Sequence, residues 1–294
     1  MIFKNKIGLG TSFFGNTLAL TLSHQIVMHN AVNLGYRLFD TGENYGEGRT
    51  ETMLGNSISQ STISRSEFEL ITKLNPLAAF SPAAIEERLH RSLERLQTDY
   101  LDAYLLHWID VSTNIEMVVR TFSNLIDAGL VRHVGISNVS LDELKKWRAV
   151  EAQIGVKNKL EVVQYRYNLT NREADLGLND YLKDENLTAM PHSVFGGGRI
   201  RGWSRPPYPP GSFHGDFWAN SKIRALKPIA DIIGATVPQL IIAFSNLRYD
   251  NSIAIPKSFK ELHLKDNLLS VNFAQLITPQ IYDEITLLFP VAAA

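Results

Sequence analysis

The chain has 294 residues, no cysteine, and 29 basic side chains against 30 acidic ones. A composition 45% apolar and 20% charged is that of a globular protein and excludes a disordered, collagen-like or coiled-coil chain. The balanced charge argues against a nucleic-acid or anionic-membrane binder, and the missing cysteine excludes disulfides, thiolate zinc, iron–sulfur ligation and a cysteine nucleophile.

Along the chain, short apolar runs alternate with longer amphipathic ones. Strands are predicted at Ile7–Gly10 and Tyr36–Asp40, followed by a helix over Glu51–Ile58. A strand at Phe68–Lys73 precedes a helix opened by Ser81 as N-cap and Pro82 at its first position. In that helix Ile85, Leu89, Leu93 and Leu96 recur at helical spacing. Next come a strand at Tyr100–His107, a helix over Asn114–Gly129 and a strand at Val131–Ser137. Ser140 with Glu143 three residues on forms a capping box, and Leu141, Leu144 and Trp147 share one side of the helix it opens. Strands at Glu161–Gln164 and Leu187–Met190, a helix over Leu226–Ile233 and a strand at Ser252–Pro256 complete the pattern.

Eight strands alternating with helices predict an α/β chain with a parallel sheet and the strand number of a (β/α)8 TIM barrel, while the length alone allows two domains or one long barrel. An open doubly wound sheet would show G-x-G-x-x-G after the first strand, and none follows it. The first residues lack a leader-like apolar core, and no stretch reaches the ~18 apolar residues of a membrane span. The expectation is a soluble cytoplasmic protein with no membrane or nucleic-acid partner. Its oligomeric state is open. The stretch 194–215 breaks the alternation. It is rich in Gly and Pro, holds Trp203, Tyr208 and Phe213, and carries Arg199, Arg201 and Arg205 without an acid among them. It is the candidate loop over a cofactor or substrate, and Gly196–Gly198 offers either backbone N–H groups to a phosphate or simple flexibility.

Catalytic groups of such barrels sit at the C-terminal ends of strands. The polar residues at those ends are Asp40, Lys73, His107, Ser137–Asn138, Gln164, His192 and Lys257–Ser258, with Tyr45 close to the second strand. A carboxylate, an ammonium, an imidazole and a phenol converging on one face form a proton-handling set.

The stretch Gly35-Tyr-Arg-Leu-Phe-Asp-Thr-Gly-Glu-Asn-Tyr-Gly, followed by Glu51 and Leu54-Gly55, resembles the signature of the aldo-keto reductases. Ile71-Thr-Lys73, Leu105-Leu-His-Trp108, Gly135-Ile-Ser-Asn138, Val163-Gln-Tyr165 and Ile255-Pro-Lys-Ser258 follow in that family's order, and the opening Gly8-Leu-Gly-Thr11 is also similar. The resemblance implies one barrel domain over residues 1–294 with long loops at its C-terminal face, and NAD(P)H-dependent reduction of a small carbonyl substrate, with no metal site. It places Asp40, Tyr45, Lys73 and His107 on the family's catalytic tetrad, with Tyr45 as general acid, Lys73 lowering its pKa, Asp40 keeping Lys73 charged and His107 orienting the carbonyl. It implies cofactor contacts from Gly10, Thr11, Asp40, Ser137, Asn138, Gln164, His192, Lys257, Ser258, His263 and Asn267.

Two positions depart from that family. His192 falls where a tyrosine commonly stacks on the nicotinamide, and His263 where an arginine often grips the 2′-phosphate. NADPH is the expected cofactor, NADH remaining possible, with Lys257–Ser258 at the phosphate. Phe13–Phe14 and Trp108 are candidate pocket walls. Other readings stay open. One is a slow, cofactor-binding regulatory subunit on the same barrel. The other is an aldolase forming a Schiff base on Lys73.

Overall fold

The computed structural model describes residues 2–76, 81–196, 221–246 and 251–291. Its strands lie where the short apolar runs are: β1 (Leu9–Gly10), β2 (Leu38–Asp40), β3 (Glu69–Leu74), β4 (Leu101–Leu106), β5 (Val131–Ser137), β6 (Val162–Arg166) and β7 (Thr188–His192). They stand side by side in chain order and every neighbouring pair is parallel. Parallel neighbours need a crossover between them, and helices supply it. Among the described residues these helices are α1 (Leu18–Leu34), α2 (Arg49–Ser59), α3 (Pro82–Leu96), α4 (Ile115–Asp127), α5 (Leu141–Ile154), α6 (Leu178–Asp184), α7 (Ser221–Ile232), α8 (Val237–Asn246), α9 (Glu261–Leu269) and α10 (Pro279–Leu288). No single helix among the described residues is long and apolar enough to cross a membrane.

The eighth predicted strand closes the ring without becoming a regular one. Residues 251–256 run parallel between β7 and β1. Ala189 N–H donates to Asn251 O (2.9 Å), Ile253 N–H to Ala189 O (2.9 Å), Gly8 N–H to Ala254 O (3.0 Å) and Gly10 N–H to Pro256 O (3.1 Å). Only the bridges Ile7–Ala254 and Ala189–Ser252 form there. Pro191 and Pro256 each lack an N–H, which thins the ladder on both sides. The barrel is therefore the (β/α)8 architecture that the alternation predicts.

The caps behave as their residues dictate. Ser81 Oγ accepts from Ala84 N–H at 3.1 Å, and Ser140 and Glu143 satisfy each other's backbone N–H groups. Helix α1 carries no such signal. Its N-cap Thr17 makes no side-chain bond, and Leu18, Leu22 and Ile26 are exposed, so no apolar stripe announces it.

Most of the core lies between strands and helices, while a smaller apolar cluster fills the barrel floor with Leu38, Ile71, Leu105, Val162, Met190 and Ile255. Side chains of a strand alternate between faces. Two residues beyond each of these floor residues stands a polar group on the same inward face: Asp40, Lys73, His107, Gln164, His192 and Lys257. The floor and the pleat together therefore aim the chemistry at the C-terminal mouth.

Candidate active site

Lys73 is fully buried inside the barrel. A buried ammonium needs partners, and it has three: Asp40 Oδ2 at 2.8 Å, Thr41 O at 2.6 Å and the Tyr45 hydroxyl at 3.3 Å. The other Asp40 oxygen accepts from Gln164 Nε2 at 2.7 Å. Gln164 Oε1 in turn accepts from Ser137 Oγ at 3.3 Å. Asn138, in a left-handed conformation (φ 53°) that asparagine tolerates, donates through Nδ2 to His107 O (3.0 Å) and Ser137 Oγ (3.1 Å). Its Oδ1 faces His192 Nε2 at 2.9 Å, so that nitrogen carries the proton. His192 Nδ1 then accepts from Ser193 Oγ at 2.9 Å.

Tyr45 opens the short 3-10 turn Tyr45–Gly48 and its ring meets His107 edge-on at 5.6 Å. His107 Nδ1 is buried without a partner. A proton there would be unsatisfied, so the Nε2–H tautomer is favoured and Nε2 is the donor left to the cleft.

These groups border a cleft of about 450 Å³. Asp40, Tyr45, His107, Gly10, Asn138, Gln164, His192 and Lys257 line it, and Lys73 and Ser137 lie directly behind the wall. The other expected contacts sit elsewhere. Thr11 is buried and donates both its N–H and its hydroxyl to Asp40 O (2.9 Å each), so it holds the carboxylate's backbone and does not face the cleft. Ser258 is buried in a turn, its Oγ accepting from Lys260 N–H at 3.0 Å. His263 and Asn267 are on α9, which packs on α1 and α8 away from the cleft lining.

Of the expected pocket walls, Phe13 lines the cleft, while Phe14 is buried against Phe259 at 4.7 Å and belongs to the core. Trp108 leans on His107 at 4.7 Å without lining the cleft. Of the loop 194–215, Val194 and Phe195 contribute to the lining, and residues 197–215 lie outside the described residues. Ser12, Ser193 and Phe259 are wall residues that motif reading does not single out, and Ile255, quoted only as the start of a motif, lines the cleft as well. The alternation Ile255, Lys257, Phe259 is the signal that would have found Phe259.

The electrostatics follow from burial. Burial works against the charge of Lys73, but Asp40 and Tyr45 hold its pKa above the ordinary lysine value. That is the opposite of a Schiff-base lysine, which needs a neutral amine. Burial pushes the Tyr45 phenol up, and the downward pull of Lys73 does not overcome it. The sequence-based expectation of a lowered phenol pKa thus has the sign of the Lys73 contribution right and the net direction wrong. The phenol stays protonated at neutral pH, as a proton donor must.

Burial first and Lys73 second lower both His107 and His192 from 6.5 to about 3, with His192 adding to the effect on His107 and Arg166 to that on His192. Both are neutral in the folded protein while the unfolded chain protonates near 6.5. Their contribution to stability is therefore full above pH 6.5 and is lost as pH falls from 6.5 towards 3. A urea midpoint that falls across this window, with a shallower fall in His192→Gln, is the expected result. A midpoint independent of pH there would contradict the assignment.

Burial alone lowers Lys257 from 10.5 to about 8. Its ammonium lies 4.1 Å from the Phe13 ring centre and 3.4 Å from Ser12 Oγ, with no carboxylate within 4.0 Å among the described residues. A cation at the cleft edge suits an anionic ligand group.

Comparisons with known proteins place this geometry. Residues 6–286 match the model of the aldo/keto reductase family. The aldo-keto reductase YhdN of Bacillus subtilis is 31% identical, over 77% of this chain and 68% of its own. A probable voltage-gated potassium channel subunit beta of Arabidopsis thaliana is 27% identical over 97% of this chain and 95% of its own. Among solved structures, an aldo/keto reductase of Klebsiella pneumoniae in complex with NADP and acetate superposes with a TM-score of 0.79 at 26% identity, covering 98% and 93% of the two chains.

Proposed function

Since the chain belongs to the aldo/keto reductase family, we propose that it reduces an aldehyde or ketone to an alcohol with NADPH as hydride donor. The observation that carries this reading is the buried Asp40–Lys73–Tyr45 chain opening on a cleft beside neutral His107.

The residues present fit the cofactor. Asn138 and Gln164 bring amide groups to one wall with the Ser137 hydroxyl behind them, suited to a carboxamide, and Lys257, with no carboxylate partner among the described residues, offers a cation to a phosphate. Gly10 lets β1 lie close against residues 251–256 at the cleft edge, since a Cβ there would come within 2.7 Å of Ile255 O. NADPH, when bound, supplies the hydride to the carbonyl carbon. The protein handles the oxygen. Tyr45 O–H and His107 Nε2–H converge on the place where negative charge grows, and Tyr45 delivers its proton there. Lys73 stabilises the phenolate left behind, and Asp40, Thr41 O and Gln164 hold Lys73 and each other in register.

The test is loss of reduced-nicotinamide absorbance with a panel of small aldehydes and ketones, run with NADPH and NADH between pH 6.5 and 9.5. Carbonyl-dependent oxidation is expected. The Lys257 cation is present below pH ~8 and lost above it. NADPH affinity should therefore fall up to ~10-fold per pH unit above 8 while NADH affinity stays flat. Parallel profiles would remove Lys257 from the phosphate.

The similarity to the plant channel subunit favours a second reading, a slow cofactor-binding subunit of a larger assembly. Tight NADPH binding without turnover on any carbonyl, plus a co-purifying partner, would select it.

A further inference from the structure

The turn that carries Tyr45 has an unusual backbone. Gly46, Glu47 and Gly48 all lie at positive φ (55°, 58° and 86°). Glu47 pays strain there, since a side chain disfavours that region by ~1 kcal/mol or more. Such a turn needs outside restraint to hold one phenol at one distance.

The restraint comes from α3. Glu43, two residues before Tyr45, accepts from Arg88 Nε at 3.1 Å and from Arg88 Nη2, and also from the backbone N–H of Asn75 at 2.5 Å. Glu51, beyond the turn and fully buried, accepts from Arg95 Nε at 2.6 Å and from Thr72 Oγ1 at 2.6 Å. Arg88 and Arg95 are seven residues apart, two turns along one face of the helix. Thr72 and Asn75 flank Lys73. Arg95 also lies against Gly48, where an added Cβ would come within 2.9 Å of its side chain. Both ends of the Tyr45 turn are thus tied to β3 on either side of Lys73, and each tie is braced by an arginine of α3.

We infer that Arg88 and Arg95 are positioning residues that register the Tyr45 turn on β3 and so set the Tyr45–Lys73 spacing. The inference rests on the reading of Tyr45 as the acid. It acts through geometry and leaves the cofactor wall untouched. Lysine in place of either arginine keeps the charge but not both contacts: Arg88 grips Glu43 through Nε and Nη2, and Arg95 reaches Glu51 through Nε and Ser92 through Nη2.

The experiment takes Arg88→Lys, Arg95→Lys and Glu43→Gln in the full chain, with Arg91→Gln as control. Arg91 is exposed on the same helix and pairs only with Glu87 among the described residues. Steady-state kinetics, cofactor affinity by fluorescence and Tm are measured for each, and each arginine variant is repeated in a Tyr45→Phe background. The expected result is a kcat lowered ~10- to 100-fold, as a displacement of ~1 Å produces. Cofactor affinity should stay within about twofold, the control should be unchanged, and no further loss should appear once Tyr45 is gone. Any folded variant with a full kcat, or one whose loss adds to that of Tyr45→Phe, overturns the inference. Full activity in Tyr45→Phe itself would instead remove the acid assignment, so the two failures are distinct.

Discussion

Tyr45→Phe should lower kcat by ~10²- to 10⁴-fold, the share of a rate that a positioned general acid supplies. Cofactor affinity and Tm should barely move. The substitution removes one hydroxyl whose only hydrogen bond among the described residues is to Lys73 at 3.3 Å, a long contact worth about 1 kcal/mol or less. Lys73 keeps Asp40 and Thr41, so no buried charge is stranded. The ring keeps its edge-on contact with His107. Burial holds the phenol protonated, so activity in the unmodified enzyme should not rise with pH through the neutral range. Retained turnover in Tyr45→Phe would place the proton elsewhere, and His107 Nε2–H would be the remaining donor.

The inward face of the site was readable from spacing. Asp40, Lys73, His107, Gln164 and His192 each end an apolar run, and the period of two puts them above Leu38, Ile71, Leu105, Val162 and Met190. Where a motif residue sits on the opposite face or in a turn, resemblance did not tell which protein group its hydroxyl binds. Thr11 and Ser258 have family-like neighbours, but their hydroxyls serve the backbone of Asp40 and Lys260. The fate of Phe13 and Phe14 turned on a positive φ at Phe13 (70°), which sends one ring to the cleft and leaves the other in the core. No pattern of residue types announces that. Arg88 and Arg95 were invisible for a different reason. On a polar helix face, arginines seven apart read as solvated charge until the fold brings Glu43 and Glu51 beneath them.

Lys73→Met should be inactive and also markedly less stable, and the two losses should separate. Removing the ammonium leaves the buried Asp40 carboxylate with Gln164 Nε2 as its remaining side-chain partner. Stranding one member of a buried pair costs ~3–5 kcal/mol, a large part of the ~5–15 kcal/mol that holds a domain together. A second change, Asp40→Asn, removes the stranded charge while keeping an oxygen for Gln164. The double variant should recover most of the stability at neutral pH and none of the activity, because the phenolate then has no cation beside it. A double variant no more stable than the single one would mean that Lys73 holds the barrel through packing of its stem, and the charge pair would no longer explain the fold at this point.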